Sequence, residues 1–409
     1  MALLRTFRCM RKFGTVSGAN EVVIVSSART PIGSFRGLLS RLTAPQMGSV
    51  AIKAALDRAA IEPEQVQEVY MGNVLSGGIG QAPARQAALG AGMPYSTPCT
   101  TINKVCASGM KAIMLASQSI SCGSQEIMVA GGMESMSNVP YYIPKGREGF
   151  IYGHHTIIDG VLHDGLRDAY NNIHMGNCGE KTAVDYDIGR EEQDAYAVES
   201  YERSKEAHLS GIMAKEIIPI TVPQKGGKTS VYHEDEEFRK VNYEKLPVLK
   251  PAFQKDGGTI TAANASKLND GACAAILMST TAAQRLNTKP LAVIRAIADA
   301  AINPIDFPTA PAAAIPKVLN LAGLHKDDIA LWEINEAFSV VVLANQKILD
   351  LDAAKVNVHG GAVALGHPIG MSGARITCHL AHNLKPGEKG CAAICNGGGG
   401  ASAIIIEKL

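Results

Sequence analysis

The chain repeats itself at long range. Ile61–Asn73 (IEPEQVQEVYMGN) is echoed by Leu324–Asn335 (LHKDDIALWEIN). Ser108-Gly109-Met110-Lys111-Ala112-Ile113 is echoed by Ser372-Gly373-Ala374-Arg375-Ile376, and Val129-Ala130-Gly131-Gly132 by Ile394-Cys395-Asn396-Gly397. The matches keep one order at an offset of about 264 residues, the mark of an internal duplication. A duplicated chain buries the same apolar pattern twice, so two similar halves are expected, with extra material between them.

Strands and helices alternate after Asn20. Glu21–Ser27 (EVVIVSS), Glu68–Val74 (EVYMGNV) and Glu126–Ala130 (EIMVA) read as strands, the last closed by Gly131-Gly132. Pro45–Ala59 and Val105–Cys122 carry helical spacing. This alternation predicts an α/β fold with parallel sheets. From about 139 to 267 the alternation breaks down and His, Tyr and charge increase. Lys225–Lys240 reads there as a solvated excursion. Loops laid over a rigid scaffold commonly make substrate sites.

Composition excludes several function classes. The 409 residues are 46% hydrophobic, enough for two or three domains. Lys and Arg number 39 against 38 Asp and Glu, so no basic nucleic-acid footprint is expected. No uncharged apolar run reaches the roughly 18 residues of a spanning helix, so no membrane partner is expected. The nine cysteines are odd in number and irregularly spaced, which fits a reducing compartment better than a disulfide framework. Residues 1–20 hold Arg5, Arg8, Arg11 and Lys12 among Leu3, Leu4, Phe7, Met10 and Phe13, with no acid before Glu21. That pattern predicts a mitochondrial transit peptide, and hence the matrix.

Four short segments could carry chemistry. In Asn103-Lys-Val-Cys106-Ala-Ser108-Gly109, Cys106 stands where a helical pattern begins, and a helix N-terminus lowers a thiol pKa. A lone cysteine of this kind is more often a buried structural residue. In Gly366-His367-Pro368-Ile-Gly370, a histidine is held on a rigid turn, and histidine is the natural base for a cysteine. In Cys391-Ala-Ala-Ile-Cys395-Asn396-Gly397-Gly398-Gly399-Gly400, a strand gives way to glycines whose N–H groups can face an anion. In Trp332-Glu333-Ile334-Asn335-Glu336-Ala337-Phe338, a polar pair ends an apolar strand. Asn335 there could donate to a carbonyl oxygen or serve as a structural cap. Cys378, Cys391 and Cys395 with His379 or His382 lack zinc-ligand spacing, so no zinc site is expected.

Taken together, Asn-x-x-Cys-x-Ser-Gly, Asn-Glu-Ala-Phe, Gly-His-Pro and Cys-x-Gly-Gly-Gly resemble the thiolase family, and the match runs from Glu21 to Leu409. The resemblance implies a layered α-β-α-β-α fold of two duplicated α/β halves with an inserted loop domain. The first half would be 21–138 with 268–289, the insertion 139–267 and the second half 290–409. It implies that Cys106 is the acylated nucleophile and His367 its base. Cys395 would move the α-carbon proton of acetyl-CoA. Asn335, through a water, and His367 would make one oxyanion hole. The N–H groups of Cys106 and Gly397 would make the other.

The resemblance further implies coenzyme A as a substrate, held by Leu166, His174, Met175, Arg239, Phe253, Ser266 and Phe307. Thr261-Ala262-Ala263-Asn264-Ala265-Ser266, Tyr201 and Phe307-Pro308 are similar to the mitochondrial, potassium-binding branch that takes acetoacetyl-CoA and its 2-methyl form. Potassium would lie among Tyr201, Ala262, Ala263, Ala265 and Val363. A homotetramer built from dimers would follow, with Gly80–Gln86 near the intersubunit side. A thiolase of broader acyl-chain range is the alternative. A 3-oxoacyl synthase would need a second histidine where Cys395 stands. A Cys-His-Asn hydrolase fits neither the order nor the local sequence, and an inactive binding protein would not be expected to keep Cys106, His367 and Cys395.

Overall fold

A computed structural model describes residues 20–409; apart from Asn20, the expected transit segment lies outside the described residues. The central strands are β1 (Val22–Arg29), β2 (Glu68–Gly72), β3 (Cys99–Ile102), β4 (Ile127–Ser135), β5 (Asn269–Ser279), β6 (Ala292–Ala301), β7 (Ile329–Ile334), β8 (Lys389–Asn396) and β9 (Gly400–Lys408). They are hydrogen-bonded in the order β7-β8-β9-β6-β1-β5-β4-β2-β3. Read outward from the β1–β6 junction, the runs β1-β5-β4-β2 and β6-β9-β8-β7 are equivalent, so the duplication extends to topology. It extends even to a bulge: the register shifts between Ile24 and Ser26 in β1 and between Ile294 and Ala296 in β6.

The sheet is mixed, where the alternation predicts parallel. β2 runs parallel to β3 and β4, and β7 parallel to β8, but β5 and β9 are antiparallel to both their neighbours. The reason is the connection. β8 turns into β9 through Gly397-Gly398-Gly399, and a turn this short can only make an antiparallel pair. The long intervening segment lies at the matching place between β4 and β5. It opens a hairpin and leaves the strand pairing intact.

β4 also runs on through Gly131-Gly132 to Ser135, where the sequence suggests an end. A Cβ on Gly131 would strike the Cys273 carbonyl, and one on Gly132 the Gly370 carbonyl. These glycines permit close packing of neighbouring backbones and do not mark a turn.

Among the helices are α1 (Ala44–Ala59), α2 (Pro83–Gly90), α3 (Ser108–Ser121), α4 (Met175–Asp185), α5 (Arg190–Leu209), α6 (Pro311–Ala322), α7 (Ser339–Leu349), α8 (Ala362–Leu365) and α9 (Ser372–Asn383). A Thr43–Gln46 capping box starts α1, whose Met47, Ala51, Ile52 and Ala55 face the core at helical spacing. α1 and α6 lie on the outer faces of the two sheet halves, and α3 and α9 pack together between them. The echoed glycines make that central contact. A Cβ on Gly109 would stand 2.9 Å from Ala374 N, and one on Gly373 would stand 2.7 Å from Met110 N.

Two readings of the intervening segment change. It contains α5, twenty residues long, whose buried face is largely small or polar: Gln193, Asp194, Tyr196, Ala197, Ser200, Tyr201 and Ser204. An apolar period is absent there because this helix packs through hydrogen bonds, Tyr196 and Ser200 both donating to Glu336. The Lys225–Lys240 run is not simply solvated either. Its Asp235 is buried and pairs with Arg29 at 2.7 Å, while Arg29 also pairs with Glu216 at 2.6 Å. An ionic group of this kind costs about 3–5 kcal/mol when one partner is removed.

Candidate active site

Cys106 lies just ahead of α3, which begins at Ser108 and not at Val105. Val105 has φ +47°, a left-handed conformation that a β-branched residue rarely adopts. The turn is held by its neighbours. Asn103 Oδ1 accepts from Val105 N–H at 3.0 Å, and Ser108 Oγ accepts from Lys104 N–H at 2.8 Å. Lys104 is anchored to Asp299 and Ser402 of the second half. The expected lowering of the Cys106 thiol by a helix start is not found. Burial pushes it up to about 12, opposed by the backbone N–H groups of Gly397 and of Cys106 itself.

His367 is buried, and burial, with Arg375 adding to it, holds its imidazole down at about 3. Nδ1 lies 2.6 Å from Ser372 Oγ, and that hydroxyl lies 3.0 Å from the Pro368 carbonyl oxygen. A carbonyl can only accept, so Ser372 donates to Pro368 and accepts from Nδ1–H. Nε2 keeps its lone pair and accepts from Asn335 Nδ2 at 3.4 Å. The His367 N–H donates to Asn269 Oδ1 at 2.9 Å. Glu134, fully buried, accepts from Gly370 N–H and Val74 N–H, each at 3.0 Å, and so pins the turn that follows His367. Asn335 Oδ1 is buried without a partner among the described residues.

Cys395 is fully buried near the end of β8. Burial raises its thiol well above the ordinary value, and the neighbouring Cys106 raises it further. The two thiols are thus electrostatic neighbours. Gly397 stands beside them, and a Cβ there would lie 3.4 Å from Met175 Cε and 3.6 Å from Val105 Cγ1.

A cavity of about 620 Å³ leads to this place. Leu166, His174, Met175, Phe253, Ser266 and His367 line it together with Ala262 and Ala265. Its wall is largely apolar, and the His174 and Phe253 rings stack with centroids 4.6 Å apart. Two expected coenzyme A residues fall elsewhere. Arg239 is exposed and ion-paired with Glu234 at 2.7 Å, on another face of the segment. Phe307 is 2% exposed and packs behind the cavity with Met175, Phe338 and Cys395.

The expected potassium ligands are placed together but do not fit the ion. Tyr201, Ala265 and Val363 turn their oxygens onto the ammonium of Lys267. Lys267, Ser372, Glu134 and Asn269 are the functional neighbours that sequence reasoning missed. Only Ser372 carried a signal, as the echo of Ser108 at the start of a helix.

Comparison with known proteins agrees with this architecture. The family model described as Thiolase, N-terminal domain matches residues 22–281, and Thiolase, C-terminal domain matches residues 288–408. "Acetyl-CoA acetyltransferase, mitochondrial" of Mus musculus is 63% identical over 408 residues, covering 100% of this chain and 96% of the mouse protein. The Homo sapiens protein of the same name is 62% identical over 389 residues, covering 95% and 91%. A crystal structure of the Acat5 thiolase from Ascaris suum in complex with coenzyme A superposes with a TM-score of 0.91 at 49% identity, covering 95% of this chain and 100% of that one. The chain belongs to the thiolase family.

Proposed function

We propose that this chain is an acetyl-CoA acetyltransferase. It cleaves acetoacetyl-CoA with coenzyme A into two molecules of acetyl-CoA through an acetyl-cysteine, and it catalyses the reverse condensation. The observation that carries the reading is the meeting of the Cys106 and Cys395 thiols where the N–H groups of Gly397 and Cys106 converge. The names of the curated relatives and the coenzyme A complex of the Ascaris suum thiolase support it.

The roles follow from the chemistry. Cys106 is protonated at rest and His367 neutral, so the base acts during attack. His367 Nε2 takes the thiol proton as sulfur adds to the C3 carbonyl. The C2–C3 bond breaks, and the departing enolate receives a proton at C2 from the Cys395 thiol. Its oxygen charge is met by N–H donors already in place. The incoming coenzyme A thiol returns a proton to Cys395 as its sulfur attacks the acetyl group, and His367 reprotonates Cys106. Asn335 and His367 polarise one thioester carbonyl; the N–H groups of Cys106 and Gly397 polarise the other. Leu166, His174, Met175, Phe253 and Ser266 hold the pantetheine arm.

Phe307, Phe338 and Met175 pack around Cys395 and support a short acyl pocket open to the 2-methyl ester. The names of the relatives support a mitochondrial enzyme, and we place it in the matrix. Ile151 and Tyr152, 97% and 98% exposed beside Phe150, support self-association as a homotetramer. Thiolysis of acetoacetyl-CoA, its 2-methyl form and a long-chain 3-oxoacyl-CoA, with and without free coenzyme A, tests the reading. Short esters should disappear only when free coenzyme A is present. Loss to water alone, or preference for the long chain, would contradict it.

A further inference from the structure

Lys267 follows Ser266 directly and lines the same cavity with it. Nζ donates to Tyr201 Oη at 2.6 Å, to the Ala265 carbonyl at 2.9 Å and to the Val363 carbonyl at 2.9 Å. An ammonium has three N–H bonds and no acceptor, so all its donors are spent on this oxygen set. Ala262 and Ala263 border the same place, lining with Tyr201 and Lys267 a smaller cavity of about 260 Å³. These are the five residues that the family resemblance sets around potassium. A potassium ion sharing the same oxygens would stand within a few ångström of a like charge, partly out of water, where the repulsion is strong.

We propose that Lys267 is a built-in cation, its ammonium standing where potassium would bind and making this enzyme independent of that ion. Three segments are tied by this one group. Tyr201 belongs to α5, Ala265 immediately precedes Ser266, and Val363 lies four residues before His367. The Val363 peptide is gripped at both ends, its carbonyl by Lys267 and its N–H by Glu336 at 2.9 Å. Lys267 is therefore a positioning residue: it orders the loop of Ser266 against the turn of His367 before coenzyme A esters arrive, which lowers the cost of binding them.

The assignment takes its reference ion from the thiolase reading, while the lysine contacts stand without it. The experiment measures the melting temperature, and KM and kcat for acetoacetyl-CoA, in potassium, sodium and choline chloride at equal ionic strength. The unmodified enzyme should give the same values in all three salts. Lys267→Ala should melt lower and show a severalfold higher KM in choline, with kcat changed less. Potassium should restore both melting temperature and KM saturably. An unmodified enzyme that melts higher or binds substrate better in potassium than in choline would overturn the proposal. So would a Lys267→Ala variant that responds identically to the two salts. If that variant does not fold, the salt series on the unmodified enzyme decides. Melting needs no substrate, so a failed activity reading would leave the cation assignment separately measurable.

Discussion

Gly132 of β4 and Gly370, three residues past His367, meet backbone to backbone: a Cβ on Gly132 would overlap the Gly370 carbonyl oxygen. The first sheet half therefore sets the position of a turn in the second half. Gly132→Ala should force that turn away from β4. Overpacking costs about 1–3 kcal/mol or more where the obstacle is backbone. Activity should fall further than the loss of folded protein explains, because a small displacement of a catalytic group is expensive. Denaturant unfolding alongside kcat checks this; an unchanged kcat would mean that the turn does not depend on the contact.

Ser372 fixes which nitrogen of His367 is free. Ser372→Ala removes the acceptor for Nδ1–H and lets the ring change tautomer or rotate. kcat for thiolysis should fall about tenfold or more, with KM little changed, since orientation of the base matters in the transition state. A variant with normal kcat would show that the ring is oriented by Asn335 alone.

The resting protonation states give a pH signature. The Cys106 thiol, raised to about 12, stays protonated over the ordinary range, and the His367 imidazole, lowered to about 3, stays neutral. Alkylation by iodoacetamide needs the thiolate, so its rate should climb about tenfold per pH unit to pH 10 without levelling near the ordinary cysteine value. Acetylation by acetyl-CoA uses neutral His367 and should be flat from about pH 5 to 8. An alkylation plateau near pH 8, or an acetylation step near pH 6.5, would show a preformed thiolate–imidazolium pair instead.

Cys395→Ala should separate the half-reactions. Without a group to move the α-carbon proton, cleavage and condensation should drop by about a hundredfold or more. Acetyl transfer from acetyl-CoA to Cys106 breaks no C–C bond and asks of Cys395 only a proton for the departing coenzyme A sulfur, which can leave as a thiolate, so it should fall far less. Equal loss of both, measured by steady-state thiolysis and by acetyl incorporation, would give Cys395 a structural role.

The sequence carried the duplication and the catalytic segments because both depend on local signals: echoed Ser-Gly pairs at helix starts, and Cys, His and Asn among glycines. Other features were not legible, each for a physical reason. The antiparallel placing of β5 is hidden because a hairpin and an opened hairpin have the same flanking strands. Helix α5 has no apolar stripe to find. Burial decides the Cys106 and His367 protonation states, and it depends on side chains far along the chain. The Lys267 contacts belong to this class too, since Tyr201 and Val363 reach it from separate elements. Arg239 was expected among the coenzyme A residues, but its own segment turns it outward to Glu234.

The most direct test is the mass of the Cys106-containing peptide after incubation of the enzyme with acetyl-CoA alone. One acetyl group should be found on Cys106 and removed by free coenzyme A, and Cys106→Ser should carry none while melting like the parent. An acetyl group on another residue, or an adduct undiminished in Cys106→Ser, would contradict the assignment of Cys106 as the nucleophile.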